Sequence, residues 1–590
     1  MSQPICNKED LDRAAASGQG SLYPNRLKIL IGSASCGIAL GAREVEAAAI
    51  ETVRELHLDS VVCRTGCIGF CAKEPLLDLM LPNGPRLSYG QMTGEKTRRL
   101  LKAYAGGNLL LEWALGRFSS EEHLLTEEIH QYPAGPKDLA NVPEWSGLDF
   151  YRRQKKVILR NCGSIDPLCL DEAVARGAYR GAIRAITQMT PDEVIEEMVQ
   201  SGLRGRGGAA FPTGQKWRFA RQAQGELKYV VCNADEGAPG SYMDRTVLEG
   251  DPHAILEGML IGSYAIGARQ GFLYVRSEYP LAITTLQHAI AEAEERGLLG
   301  DDIFGSGWSF RVSVRRGAGA YVCGEETALI ESIEGHAGEP RLRPPYPVTA
   351  GIEGKPTVVN NVKTWASVAP ILTRGPAWYA AIGTKAAPGT TIFSLEGAVQ
   401  NRGLVEVPLG VSLREMIYDI GGGMAGPRPL KAVQVGGPSA GCVSAAALDL
   451  RIDAAERSGE TVSMGTGGII VLDDRACMVD MARFLLDFFV EESCGKCVPC
   501  REGTKHMLRI LTRICGGQGS SDDLALLERL AKHVKLASLC GLGAVAPDPV
   551  LAALRYFRDE FESHIRDKQC PAGVCRKLVA PRGKKKVCVA

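Results

Sequence analysis

The sequence predicts a multidomain α/β chain that ends in a helical bundle, and three observations carry that expectation. Short apolar runs alternate with helical periodicity over residues 166–385, the pattern of a layered sheet flanked by helices. A separate strand–helix–strand start precedes it. Residues 477–567 read as helix, interrupted by a loop bearing three cysteines. With 590 residues there is length for about four domains of roughly 150 residues each.

Residues 1–25 read as a polar lead. Leu27-Lys-Ile-Leu-Ile-Gly predicts a buried strand, Arg43–Leu56 an amphipathic helix and Asp59-Ser-Val-Val a second strand, making a unit over 26–105. Residues 106–165, rich in Gly, Pro and Trp, read as a linker lying on another surface. Within 166–385 the strands are Tyr229-Val-Val-Cys, Gly271-Phe-Leu-Tyr-Val-Arg and Phe310-Arg-Val-Ser-Val. Strands and glycine turns dominate 386–470 (Thr391-Ile-Phe-Ser-Leu, Val405-Glu-Val, Ala432-Val-Gln-Val, Gly467-Gly-Ile-Ile-Val-Leu). One helix near Leu413 makes this a small α+β module. Residues 471–567 form the helical domain, and 568–590 a tail that is flexible or docked. No internal repeat is present.

Composition excludes several classes. Lys plus Arg equals Asp plus Glu at 68 each, so no field draws a polyanion, and sparse aromatics argue against stacking on nucleic acid. No apolar stretch is long enough to span a bilayer, and the N-terminus lacks a signal-peptide core, so direct membrane insertion is not expected. The 19 cysteines cluster at ligand spacings in a large chain, which suits a reducing cytoplasm with metal sites better than a disulfide scaffold.

Cys494-Gly-Lys-Cys497-Val-Pro-Cys500, with Cys540 further on, places three thiols at two-residue gaps and a distant fourth. Four thiolates are what a 4Fe-4S cube takes, whereas zinc usually takes its thiols in pairs. This spacing predicts electron transfer. Near the N-terminus Cys67-Ile-Gly-Phe-Cys71, preceded by Cys63 and Cys36, resembles the thioredoxin-like 2Fe-2S ferredoxins, which use C-x4-C plus C-x3-C. Ile31 occupies the position of the first of those four. Cys63 or another group is left to supply the missing ligand, and the alternative is a degenerate docking domain with buried thiols. His564, Cys570 and Cys575 lack one ligand for tetrahedral zinc, which Cys477 can provide; the alternative is a redox-silent pair on a frayed tail.

Three glycine-rich segments fall in the central α/β region. Gly205-Arg-Gly-Gly-Ala-Ala-Phe-Pro-Thr-Gly-Gln-Lys-Trp precedes a helix, so its N–H groups and Lys216 can meet a phosphate. Its spacing fits neither GxGxxG nor GxxxxGK[ST]. Cys232-Asn-Ala-Asp-Glu-Gly ends a strand, and Gly317-Ala-Gly-Ala-Tyr-Val-Cys-Gly-Glu-Glu carries two acids whose ordinary role is helix capping. Loops of this kind at strand ends converge on one ligand.

These segments resemble the NADH-binding flavoprotein subunit of respiratory Complex I and its relatives in NAD-linked hydrogenases and formate dehydrogenases. The family patterns GRGGAGFPTGxKW, NADExEPGxxxDR, GAYxCGEETAL, RxKPPFP, VNNVET and SCGxCxPCRxG all have counterparts here, over roughly residues 160–567. The resemblance implies a Rossmann-like FMN and NADH domain, a β-grasp-like spacer and a helical 4Fe-4S domain behind a thioredoxin-like start. It implies FMN held by Gly205, Arg206, Gly207, Gly208, Lys216, Asn233, Asp235, Tyr321, Gly324, Asn360 and Asn361, with NADH on Phe211, Phe219, Arg343, Tyr346, Glu325 and Glu326. No side-chain general base is expected; Glu325 and Glu326 are expected to tune the flavin and help expel NAD+. The chain departs from the pattern at Ala210 for glycine, Arg343 for lysine, Tyr346 for phenylalanine and Lys363 for glutamate. The implied function is an NADH:acceptor oxidoreductase (diaphorase) subunit. Its expected partners are a thioredoxin-like 2Fe-2S subunit and a larger iron–sulfur or catalytic subunit of a hydrogenase, formate dehydrogenase or other reductase. Direction of flow and electron bifurcation stay open, and the rival reading is a redox-inactive scaffold for iron–sulfur partners.

Overall fold

The computed structural model describes residues 3–454 and 461–578. Cys588 and most of the expected tail lie outside them. Four bodies follow one another along the chain, and among the described residues no helix is long and apolar enough to cross a membrane.

The N-terminal sheet runs in the order Ser60–Thr65, Leu27–Gly32, Leu77–Met80, Arg86–Tyr89, Ala114–Phe118. Its first pair is parallel and the rest are antiparallel. Helices Ala42–Glu55 and Gly94–Ala105 bury apolar stripes on the sheet. Two expectations need correction here. Residues 1–25 are not merely a polar lead, because Lys8–Leu22 is a helix capped by Asn7. Its apolar stripe, Leu11, Ala14 and Leu22, packs into the core of the central domain, and polar residues occupy only its outer face. Likewise the linker over 106–165 is not all loop. Ala114–Phe118 adds the fifth strand to the N-terminal sheet, and Phe118 stacks on Trp145 at 4.9 Å.

In the central domain the sheet order is Gly300–Ile303, Trp308–Gly317, Gln270–Arg276, Tyr229–Ala234, Thr357–Asn361, with the last four strands mutually parallel. Such strands are covered on both faces and read as continuous apolar runs. Helix Pro252–Ile266 is buried nearly all round, which is why its sequence has no polar face.

The next module is a mixed five-stranded sheet, Gly403–Pro408, Thr390–Gly397, Gly468–Asp473, Leu430–Val435, Cys442–Ser444. The helix expected near Leu413 is a single π-helical turn, Glu415–Ile420. Helices Met478–Glu491, Val498–Cys515, Ser521–Ala537 and Asp548–Tyr556 close the chain as a bundle with its own core.

Candidate active site and metal centres

Parallel strands bring their C-terminal ends to one edge, and a cavity of about 600 Å³ opens there. Asn233 and Asn361 end adjacent strands in register. Asn233 donates to the Gly324 carbonyl at 2.8 Å and accepts from the Asp235 N–H at 3.0 Å, tying two of the three glycine-rich loops together. Gly207, Gly208 and Ala209 form the facing wall. A side chain at Gly207 would press on Asn361 at 3.1 Å, and Gly208 holds φ +113°, so neither position tolerates a Cβ easily.

Polar atoms await a partner inside. Asp235 Oδ2 and Ser241 Oγ are buried with no hydrogen bond, and burial pushes the Asp235 carboxyl up to about 7 against the pull of Arg276. Glycine walls with unsatisfied acceptors and hydroxyls suit a flat ring bearing N–H groups and a hydroxylated chain, as FMN has.

Of the residues expected at this site, Gly207, Gly208, Asn233, Asp235, Tyr321, Gly324, Glu325 and Asn361 line the cavity. Arg206 does not present its guanidinium. That side chain is buried and donates to the carbonyls of Thr390 and Pro388, while its backbone N–H donates to Thr364 Oγ1. Asn360 turns towards Trp217 and the Val359 carbonyl. Gly205, two residues before the wall, pairs its backbone with Phe211. Lys216 reaches Glu326 at 2.9 Å and the Val359 carbonyl at 2.8 Å. Arg343 lies 3.4 Å from Glu326 and 3.7 Å from Glu325. Beyond this pair of cations, Phe211, Phe219 and Tyr346 are 47%, 48% and 55% exposed, open faces on which a nucleotide can stack.

Glu325 also fulfils the capping role that its position suggested, accepting from the N–H groups of Thr327 and Ala328 at 2.9 and 3.1 Å. Ala210, where the family pattern has glycine, sits at φ +53°, in the left-handed region that favours glycine. Lys363, where the family pattern has glutamate, is buried in the cavity wall 3.0 Å from Asp244. Neither Asp244 nor Glu236, Ser241 and Thr466 was expected as lining. Thr466 comes from the β-rich module, which therefore forms part of the wall as well as a spacer.

Directly behind this cavity lies the cysteine cage. Cys497 and Cys540 sit at the N-caps of helices and Cys500 in a first turn; backbone N–H groups draw the Cys540 thiol down, while burial pushes it up and raises Cys500 to about 11. The Leu539 N–H donates to Cys497 Sγ at 3.5 Å, and Ser493 Oγ lies 3.3 Å from Cys500 Sγ. With Cys494 the four line a small apolar pocket walled by Val322, Leu539 and Leu542. No three of these sulfurs close to within 4.8 Å among the described residues, spacing that suits a cube and not one tetrahedral ion. Val322 and Leu542 line both spaces, so a wall one side chain thick separates them.

Two further donor sets are drawn together. Cys477, His564, Cys570 and Cys575, all buried, place their donor atoms within 4.8 Å of one another. His564 Nδ1 contacts the Glu560 carbonyl at 2.7 Å, which turns Nε2 towards Cys477 Sγ at 3.4 Å. Three thiols, an imidazole and a carbonyl fixing its tautomer fit structural zinc. Cys36, Cys67 and Cys71 form the other set. Cys63 does not join it. It pairs in register with Leu30 and packs beside Leu30, Met80 and Tyr132, where burial pushes its thiol up to about 11.

A nucleotide-sized cavity sharing a wall with a four-cysteine cage defines an iron–sulfur flavoprotein. Comparison with known proteins agrees. Residues 198–370 match the Nuo51 FMN-binding domain, and residues 480–564 match the iron–sulfur binding region of NADH-ubiquinone oxidoreductase-F. The chain is 50% identical over 428 residues to the NADP-reducing hydrogenase subunit HndC of Solidesulfovibrio fructosivorans, covering 72% of this chain and 87% of that one. It is 46% identical over 415 residues to the F 2 subunit of the NADH-quinone oxidoreductase of Rhizobium meliloti, 70% of this chain and 99% of the relative. A crystal structure of an NAD+-reducing [NiFe]-hydrogenase in its H2-reduced state superposes with a TM-score of 0.60 at 29% identity, over 94% of this chain and 87% of that one. The chain belongs to the NADH-quinone oxidoreductase F family, whose members are FMN- and 4Fe-4S-binding oxidoreductase components of multi-subunit complexes.

Proposed function

We propose that this chain is the NADH:acceptor oxidoreductase subunit of a cytoplasmic complex, working with a thioredoxin-like 2Fe-2S subunit and a larger iron–sulfur or catalytic subunit of the hydrogenase or formate dehydrogenase kind. FMN, when bound, supplies the exchange between the two-electron hydride of NADH and the single electrons that an iron–sulfur cube carries, which no side chain here can perform. The chain's own part is binding and orientation. Gly207 and Gly208 let the ring approach the backbone, and Asn233, Asn361 and Asp235 hold its polar edges. Phe211, Phe219 and Tyr346 offer stacking faces to the nucleotide; Lys216, which the resemblance gives to FMN, shares Glu326 with Arg343, and both stand ready for the nucleotide's phosphates. Phosphate binding therefore frees a carboxylate beside the product, and its repulsion favours release of NAD+. The same chemistry suggests a structural zinc at Cys477, His564, Cys570 and Cys575. The thiols of Cys36, Cys67 and Cys71 lie within 4.8 Å of one another, closer than ligands on two different irons can stand, so this set as placed does not fit the expected 2Fe-2S cluster.

The wall shared by Val322 and Leu542 is the observation that carries this reading. An anaerobic titration of the intact complex with NADH tests it. Flavin absorbance is expected to bleach first, and the EPR signal of the cube to follow. In a Cys497→Ser chain the flavin still bleaches, while turnover with the natural acceptor is lost. A chain that carries no flavin, or flavin that NADH does not reduce, would overturn the proposal.

A further inference from the structure

A lysine stands in the wall of the flavin cavity where the family pattern has an acid. Strand Thr357–Asn361 ends at the cavity, and Asn361 caps the short helix that follows by accepting the Lys363 N–H at 3.0 Å. Lys363 therefore falls in the first helical turn. Its side chain is 2% exposed, and its Nζ meets Asp244 Oδ1 at 3.0 Å. Neither setting suits an ammonium. The first turn is the positive end of the helix dipole, and burial penalises a charge that is not fully paired. Among the described residues Asp244 is the one ion-pair partner of this ammonium, which carries three donors.

Its surroundings are acidic. Asp235, Glu236, Asp244 and Glu325 line the same cavity. Glu236 accepts from the N–H groups of Met243, Asp244 and Arg245 at 2.9, 3.1 and 3.1 Å; burial and Asp244 push its carboxyl up, and Lys363 pulls it down. The other cations on the cavity lining, Lys535 and Arg555, belong to the helical bundle, and Lys535 is paired with Asp548. Arg206 and Lys216, both expected beside the flavin, turn to other partners. Lys363 is thus the cation that the strand ends contribute to the cavity. Asp244 also joins it to the seat of the ring, because Asn361 Nδ2 donates to Asp244 Oδ2.

We propose that Lys363 sets the reduction potential of the bound flavin, making it easier to reduce than a flavin that faces the glutamate of the family pattern. The inference rests on the flavin reading above and adds a residue to which the resemblance gives no role. A hydride carries two electrons and one proton. Its transfer from NADH leaves NAD+ behind and puts one negative charge on the ring until a second proton is taken up. A charge in a buried wall acts strongly on charge that develops beside it. Lys363 and Asp244 together are neutral, whereas glutamate and Asp244 would carry up to two negative charges. The exchange therefore favours electron uptake from NADH over return of hydride to NAD+.

The test is an anaerobic redox titration of the flavin in the purified full-length chain, with flavin content and the cube's EPR signal recorded on the same samples. Lys363→Glu restores the family's residue, and Lys363→Met keeps much of the volume without the charge. Both are expected to lower the midpoint potential, Lys363→Glu by about 30 mV or more, a tenfold change for a two-electron couple. Asp244→Asn removes the opposing charge and is expected to raise it. Opposite signs separate an effect of charge from damage to the fold. Unchanged potentials in both Lys363 variants, or shifts of one sign in all three variants, would overturn the assignment while the flavin reading stands. Wild type without flavin that NADH reduces would overturn the flavin reading and this inference with it. Should Lys363→Glu lose its flavin, Lys363→Met and Asp244→Asn decide by the same signs.

Discussion

Glu326 is held by Lys216 at 2.9 Å and Arg343 at 3.4 Å, next in sequence to Glu325 of the cavity wall. Partly exposed pairs of this kind are worth about 0.2–1 kcal/mol. Glu326→Gln frees both cations for phosphate and removes the repulsion, so NAD+ should bind about two- to fivefold tighter and turnover should fall. The product-inhibition constant measures this, and an unchanged constant would remove Glu326 from the release step. Gly208 makes a sharper case. At φ +113° an added Cβ is strained by roughly 1–2 kcal/mol, and the strain falls on the loop that faces the ring. Gly208→Ala is expected to lower flavin content severalfold while the helical domain keeps its cube, as flavin and iron assays on one preparation will show.

Helix ends supply the chemistry at the next scale. The N-termini of Val498–Cys515 and Gly541–Val545 hold Cys497, Cys500 and Cys540; burial pushes the Cys500 thiol up to about 11 and the Cys540 thiol up as well, and at Cys540 the helix N–H groups pull back against it. A buried carboxylate serves a helix in a similar way in the central domain. Glu257 accepts from the N–H groups of Gly181 and Ala182 at 2.9 and 3.1 Å, at the start of helix Arg180–Gln188. Burial nevertheless pushes its carboxyl up from 4.5 to about 7. The folded chain thus keeps a proton that the unfolded chain releases above its own pKa. This contribution to stability is full at acid pH, declines as pH rises from about 4.5, and is gone above about 7. Glu257→Gln should flatten that part of the pH profile of chemical denaturation. A slope identical to wild type would show that Glu257 is already ionised in the fold.

Across the whole molecule, contacts between bodies build the sites. The Leu404 N–H of the β-rich module donates to the Gly69 carbonyl at 2.8 Å, and Tyr242 of the central domain lies 3.9 Å from Cys71 Sγ. Ser35 donates through its N–H and hydroxyl to Glu249 at 2.8 and 2.6 Å, so the N-terminal cage is clamped on the flavin domain. At the other end, Cys570 and Cys575 share a core with the bundle and meet Cys477 and His564. Cys575→Ser is expected to release about one zinc per chain and lower the melting temperature by several degrees, with flavin and iron unchanged. Equal zinc in mutant and wild type would refute the site.

How much was legible beforehand follows from range in sequence. The Cys494–Cys497–Cys500 triplet and the Gly207–Gly208 loop could be read directly, because their chemistry depends on spacing within one turn of chain. Side-chain direction at Arg206 and Asn360 could not, since neighbours distant in sequence, Thr390, Pro388 and Trp217, turn both away from the cavity. Nor could the buried Lys363–Asp244 pair or the shared wall of Val322 and Leu542. Sequence alone determined which ligands the chain can hold, because motifs are local and donor types are fixed by chemistry. Tertiary structure alone decided which donors meet and what stands between two centres, because those distances are set by packing across the whole length of the chain.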